Sequence, residues 1–564
     1  MEQDVLQFDL SAKRCMKIAE NFAEKGEYEK ALGLLFVAKK SDCNQNVITA
    51  LADTYADMGL LEQSNRYWFK YLDTATPDKM AMAYEELAIN YFYLDDFWAS
   101  SYYFHKKIDT DGFLSKDGID QEILDFFTGE EHRKAFYHVA YPFDRADYSG
   151  KVKLAKHGIA SGKFNDAVKI LENIPVECRD EDLSGDLATA YFMSDNLDQA
   201  ATICRESLAN HGDSVTAYCN LSTVYDMKED YEKSEYYYKK ALECRKGERT
   251  EAYKIATCAI EREDHKTAKE CLKTILEERP YDLAMRFFYG ITQINLGEYD
   301  LAEQTLSRAY RLDPEDVVIK YYLDLVKALK EGGSDAQKLL PLKYVKEVPE
   351  KIERSREKII KELVKHPEKI SSAIKRKDVK EILKWALKSK KSDTVRETAY
   401  VLSSAYDSFS KKLILSSLLD NETLPELKRV LVYALTVNGY KEKYGVVAGG
   451  MYIKVKPKKL SFEKDDVGGI YVRAYALAMS RAVFWNLDNV EKLASSATKV
   501  FRKLNNVISE TELTGDELAS LMVYNCHYEK FENDGIISHL FDIKKERFKE
   551  IKKLLDGDKN DKNN

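Results

Sequence analysis

The sequence predicts an all-α solenoid of stacked helix hairpins, and three observations carry that prediction. A helix-turn-helix phrase recurs along the chain. Aligned on its turn, it places a small residue in its second helix at Ala31, Ser64, Ser100, Ala167, Ala200, Ser234, Ala268 and Ala302, at steps of 33, 36, 67, 33, 34, 34 and 34 residues. A second small column lies in the first helix, at Ala19, Ala52, Ala88, Ala155, Ala188, Ser222, Ala256 and Gly290. Two helices approach closely only where both carry small side chains, so the two columns mark the contact inside each hairpin. Finally, 10 prolines and 25 glycines are few for 564 residues, which suits helices more than a turn-rich β protein.

Each hairpin repeats further features. Phe22, Tyr55, Tyr91, Tyr191 and Tyr225 supply a bulky column in the first helix, and Tyr28, Leu61, Phe97, Phe164, Leu197, Tyr231 and Tyr299 follow the turn. Gly26, Gly59, Gly162 and Gly297 sit in the turns, and Pro280 and Pro314 close two units. Spacing and residues together resemble the tetratricopeptide repeat family, most clearly in YGITQINLGEYDLAEQTLSRAYRLDP (289–314) and LSTVYDMKEDYEKSEYYYKKAL (221–242). Gly158 in place of the bulky aromatic and His265 after its turn depart from the pattern.

The resemblance implies a right-handed superhelical solenoid, with repeats 1–3 over 12–108 and repeats 4–8 over 151–316. The 67-residue step leaves room at 109–150 for one degenerate repeat, with Ala135 near the small position, or for an insertion. The aromatic residues Phe126, Phe127, Phe136, Tyr137, Tyr141 and Phe143 read as core there. His132 and His138, six apart, do not share a helical face as metal ligands at i, i+4 do.

Stacked hairpins bury a continuous core while their first helices line an open groove. By the resemblance, that groove holds a peptide or a partner's helical segment. Its candidate lining is Thr189 and Phe192, then Asn220 and Thr223, then Tyr253, Thr257 and Ile260, then Phe287, Ile291 and Ile294. The set is apolar, aromatic and hydroxyl-bearing, with little beyond Asn220 to clamp carboxylates, so it favours an amphipathic or apolar ligand over an acidic tail. The competing expectation is that Phe287, Ile291 and Ile294 pack on the next helix, VVIKYYLDLVKALK (317–330), which caps the array.

After a linker at 331–340 the composition shifts. Residues 341–390 carry 16 Lys/Arg against 8 Asp/Glu, in a chain of net charge -8. Glu353/Glu357 and Lys358/Glu362 place charges at i, i+4, the mark of a solvated helix. Region 341–448 reads as basic and helical, and Asp393, Val395, Arg396 and Ala399 resemble the HEAT repeat phrase. GGMYIKVKPKKLSF predicts a β-hairpin within 449–468. Helices return over 469–555, and 556–564 is a polar tail. In 535–555, Ile537, Ser538, Leu540, Asp542, Ile543, Phe548 and Ile551 are spaced as in a DNA-reading helix-turn-helix, a resemblance that would offer Lys544, Lys545, Arg547 and Lys549 to a duplex. A bland pair of terminal helices is the alternative.

The remaining observations narrow the function class. No GxSxG, HExxH, Walker or zinc-spaced cysteine motif occurs, so no cofactor, metal or catalytic activity is expected. The nine cysteines form no CxxC pair and read as reduced core thiols. The opening MEQDVLQFDL lacks a signal-peptide pattern and no run is long and apolar enough for a membrane span, giving a cytoplasmic expectation. The function predicted is a protein-binding scaffold. The alternative is a DNA-binding regulator whose repeats sense a peptide or protein, and its nucleic-acid partner is not favoured by the net negative charge.

Overall fold

The computed structural model describes residues 11–94, 96–111, 155–156, 159, 162–172, 181–247, 249–389, 391–421, 423, 425–458, 460, 466–484, 492–504, 513–527, 537–538 and 540–556. The expectations for the 109–150 repeat beyond Asp111, for Gly158 and for the tail after Asp556 lie outside the described residues. The fold is all-α apart from one two-stranded antiparallel ribbon. It divides into two compact units, one of residues 1–146 with 354–564 and one of residues 147–353.

In residues 147–353, the helices run as Phe164–Glu172, Glu181–Met193, Leu197–His211, Val215–Met227, Tyr231–Glu243, Arg249–Glu261, His265–Glu278, Leu283–Asn295, Tyr299–Leu312 and Val317–Lys330. The small columns do what their size allows. Across the whole chain, all the alanines and serines in both columns are at most 2% exposed. A Cβ added at Gly290 would lie 2.8 Å from Leu306 of the paired helix. Where serine replaces alanine, its hydroxyl bonds across the contact: Ser222 Oγ donates to Ser234 O and Ser234 Oγ to Ser222 O, both at 3.0 Å.

The turns share one backbone solution. After the first helix a left-handed residue closes the end, its N–H and the next N–H reaching back to the last carbonyls. Gly297 N–H bonds Ile294 O at 2.9 Å and Glu298 N–H bonds Gln293 O at 2.8 Å. Gly26, Gly59, Gly162 and Gly297 occupy this position with φ of 73°, 71°, 75° and 76°. Asp195, Glu229 and Glu263 hold the same position at 65°, 59° and 56°, although their side chains disfavour it. Of the residues after the turns, Tyr231 departs from the filling role: it is 65% exposed.

In the other unit, Ala12–Glu24 with Tyr28–Ser41, Gln45–Asp57 with Leu61–Thr74, and Met80–Tyr93 with Phe97–Asp111 form three hairpins. These repeats share a compact unit with the C-terminal helices. A β-ribbon joins them. It spans Tyr444–Ala448 and Met451–Val455, so it begins before the predicted 449–468, and its first strand is buried throughout. Gly449-Gly450 is its two-residue turn, preceded by a strand but leading to a second strand and no helix, both glycines at positive φ.

That ribbon is bonded to the N-terminal repeats. Tyr103 Oη donates to Gly450 O at 2.6 Å and accepts from Tyr452 N–H at 2.9 Å. Lys454 pairs with Asp73 at 2.8 Å, and Tyr452 Oη donates to Leu72 O at 3.2 Å. On its other flank, Val447 O accepts from the buried ammonium of Lys428 at 2.6 Å. A short two-stranded ribbon leaves main-chain groups without ladder partners, and these side chains supply them. Around it, Val395 and Ala399 of the HEAT-like phrase are buried, while Asp393 and Arg396 pair on the surface at 3.7 Å.

Candidate peptide-binding face

The helix Leu283–Asn295 begins at Asp282, whose carboxylate caps Met285 N–H at 3.0 Å and also accepts from Tyr253 Oη at 3.1 Å. Phe287, Ile291 and Ile294 form a stripe at i, i+4, i+7 and are fully buried. Phe287 stacks edge-on against Tyr322 of the helix Val317–Lys330, with centroids 5.1 Å apart. The expectation that these three line an open groove is therefore corrected: the capping helix covers this end of the stack, and the apolar stripe is core.

A second stripe lies one residue further round the helix, with Thr292 buried and Phe288 and Asn295 half-buried. Phe288, Thr292 and Asn295, also at i, i+4, i+7, face the segment 338–349 that follows the capping helix, an irregular run with bends at Pro341, Tyr344, Lys346 and Glu347. Asn295 Nδ2 donates to Leu342 O at 2.8 Å, and Leu342 N–H donates to Asn295 Oδ1 at 2.7 Å. One amide thus satisfies the donor and the acceptor of one residue of extended chain, irrespective of its side chain. Tyr344 lies between Phe288, 6.4 Å between ring centroids, and His265, whose Nδ1 is 2.9 Å from the phenol oxygen. Burial, the largest influence, pushes the Tyr344 phenol above its ordinary value.

Two further contacts continue the line. Tyr322 Oη donates to Glu347 O at 2.9 Å, and Lys346 pairs with Asp316 at 2.7 Å. Asp316 is fixed by its role as a helix cap, accepting from Val318 N–H at 2.8 Å and Ile319 N–H at 2.9 Å. Leu342 and Val348 are each 4% exposed, so the segment is anchored by apolar burial at both ends of this run.

The other candidate residues are distributed differently. Phe192 is half-buried against the cluster that includes Leu187, Tyr191 and Leu221. Asn220 is 8% exposed with its amide 3.5 Å from Gly185 O, so it is held within the stack and does not reach solvent. Thr223 donates to Glu261 at 2.8 Å, joining neighbouring first helices. Thr189 bonds Gly185 O and Thr257 bonds Tyr253 O, each along its own helix, while Ile260 is half-buried. Asn295 escaped the sequence reading, and His265 appeared there only as a departure from the repeat. The available signal was a stripe of Phe, Thr and Asn interrupted by no charge, beside a proline-bounded tract with apolar residues at Leu340, Leu342 and Tyr344.

At the C-terminus, Lys544, Lys545 and Lys549 are exposed. Arg547, the fourth of these basic residues, bonds Glu517 through its guanidinium at 2.6 Å. Glu517 is held by a capping box at the start of Gly515–His527: Thr514 N–H donates to its carboxylate at 2.7 Å, and Glu517 N–H to Thr514 Oγ1 at 3.2 Å. Burial opposes ionisation of Glu517, but the Arg547 and Thr514 bonds outweigh it and hold its carboxyl below the usual range. Asp542 does take the left-handed conformation of a turn glycine, at φ 54°. Among the described residues no helix is long and apolar enough to cross a membrane, and no group of three or more His, Cys, Asp or Glu could hold a metal ion.

Comparison with known proteins agrees on the repeat. Among solved structures, YrrB, described as a TPR protein with an unusual peptide-binding site, is 24% identical, covering 31% of this chain and 88% of its own, with a TM-score of 0.24. Yeast Tom70 is 14% identical over 93% of this chain and 98% of its own, with a TM-score of 0.22. The TPR2AB domain of yeast Sti1, in a complex with pHSP90, is 11% identical over 53% and 98%, at 0.18. No curated protein matches the chain in sequence. Residues 183–247 and 259–323 each match a family model described as tetratricopeptide repeat, so this part of the chain is built of tetratricopeptide repeats, and a helical region follows it.

Proposed function

We propose that the chain is a non-enzymatic adaptor whose repeats within residues 147–353 hold an extended peptide on the face formed by Phe288, Thr292 and Asn295. The observation that carries this reading is the two-point bonding of Asn295 to the main chain of Leu342. A side chain that pairs with both main-chain groups of an extended residue supplies affinity without sequence, and the pocket of His265 and Phe288 supplies preference for an aromatic residue two positions on. The ligand class narrows from the amphipathic or apolar segment that the first-helix residues suggested to an extended, aromatic-bearing segment.

Selection from a random peptide library displayed on phage tests this, with the full chain as bait and Asn295→Ala as counter-bait. Enriched peptides should carry an aromatic residue and lose at least tenfold in affinity for the variant. Peptides that bind both baits equally would place recognition elsewhere.

A further inference from the structure

The site on Phe288, Thr292 and Asn295 is occupied in this chain by its own residues. We infer that segment 338–349, KLLPLKYVKEVP, is a built-in ligand that a partner must displace, and that the partner is an extended peptide presenting the same chemistry: an apolar residue, an aromatic phenol two residues on, and a base two further. This inference rests on the peptide-binding reading above and goes beyond it by naming both the occupant and the pattern it competes with.

The segment differs from an ordinary linker in what holds it. Linkers run over the surface with their main chain bonded to water. Here, within the run from Leu342 to Glu347, three main-chain groups are bonded to side chains of the repeats and their capping helix: Leu342 N–H and O by Asn295, and Glu347 O by Tyr322. Its side chains are held as well: Leu342 is buried, Tyr344 meets His265 and Phe288, and the exposed Lys346 pairs with Asp316, on a backbone that bends at Tyr344, Lys346 and Glu347. The segment follows Gly332-Gly333 and the four-residue helix Ser334–Gln337, and the next long helix starts at Glu350.

Tethering sets the competition. A segment joined to its site by a short linker acts at an effective concentration on the order of millimolar. A free peptide of the same sequence with an intrinsic Kd of about 0.1 mM would then bind the intact chain about tenfold more weakly than the vacated site.

A fluorescein-labelled peptide of residues 338–349 is the probe, titrated into the full chain by fluorescence anisotropy. The variant Leu342→Ser with Tyr344→Ala vacates the site. It should bind the probe about tenfold tighter than wild type, and adding Asn295→Ala should abolish the gain. Equal binding by wild type and vacated chain, or a gain indifferent to Asn295→Ala, overturns the inference. Hydrogen exchange on the wild-type chain supplies a readout that needs no variant to fold: a library-selected, Asn295-dependent peptide at saturation should speed exchange at the amides of residues 342–348. If such a peptide binds and exchange there stays unchanged, self-occupancy is wrong while peptide binding stands. If the library yields no Asn295-dependent peptide yet the vacated chain binds the probe, the segment is a structural latch and the adaptor reading falls.

Discussion

The carboxamide of Asn295 takes both main-chain hydrogen bonds of Leu342, at 2.8 and 2.7 Å, across 47 residues of sequence. Since donor and acceptor are matched, the two amides are complementary and the bond pair fixes the strand direction of whatever segment lies there. Replacing the amide by a carboxylate keeps the size but turns the donor to Leu342 O into a second acceptor. Asn295→Asp should therefore release the segment, raising exchange of the Leu342 amide by about tenfold or more, since an unmatched polar contact costs ~1–3 kcal/mol. An unchanged protection factor by exchange mass spectrometry would contradict the assignment.

Phe287 separates core from groove. It is fully buried against Tyr322, so Phe287→Ala should cost ~3–5 kcal/mol of stability in residues 147–353 through the cavity it leaves. Thr257→Ala, at an exposed position, should leave urea unfolding within about 0.5 kcal/mol of wild type. A Phe287→Ala chain of unchanged stability would restore the groove assignment for this stripe.

The turns that lack glycine are open to improvement. Asp195 and Glu229 hold φ of 65° and 59° where four other turns use glycine. Relief of the left-handed strain exceeds the entropy that glycine adds to the unfolded chain, so Asp195→Gly or Glu229→Gly should each stabilise by about 0.5–1 kcal/mol. Thermal unfolding measured on each single variant checks the sign.

Tyr103 is the hinge between the N-terminal repeats and the ribbon. Tyr103→Phe keeps the ring contacts with Tyr91 and Tyr84 but strands Gly450 O and Tyr452 N–H, at a cost of ~1–3 kcal/mol each if they stay buried. Gly450→Ala should be damaging for a separate reason: φ is 82° and the added methyl would meet Tyr91 Oη at 3.2 Å and Ala99 at 3.3 Å. Limited proteolysis should cut between residues 440 and 460 faster in both variants.

Lys428 gives that unit a pH dependence. Burial depresses its ammonium from 10.5 to about 7, only partly offset by the attraction of Asp420. The folded-state value lies below the unfolded one, so between about pH 7 and 10 the unfolded chain binds a proton the native chain does not. Stability from this group accordingly rises with pH across that window, by up to ~1.4 kcal/mol per pH unit, and its full penalty is present below pH 7. Subtracting urea unfolding curves of Lys428→Met from wild type at pH 6, 8 and 9.5 should isolate this slope; parallel curves would show that Lys428 does not titrate there.

Much of this molecule was legible in its sequence because the repeat is a local device. Small residues at Ala188 and Ala200, or at Ser222 and Ser234, meet across a turn of a few residues, and their spacing alone specifies the hairpin. The helix Val317–Lys330 was readable as a cap for the same reason. Side-chain direction around a helix was less secure: Phe287 and Phe288 are adjacent, both apolar, and a rotation of one residue decides which is core. Only the packing of Tyr322 on Phe287 and of Tyr344 on Phe288 made the choice.

By itself, then, the sequence determined the hairpins, their register and the turns between them, since these depend on contacts within about 34 residues. Tertiary structure decided what covers them. Asp73 meeting Lys454, Tyr103 meeting Tyr452, and Asn295 meeting Leu342 are pairings at separations of 381, 349 and 47 residues, with no periodic pattern to announce them. Each arises because a main-chain or charged group would otherwise be buried without a partner, a requirement that appears only once the chain has folded around it.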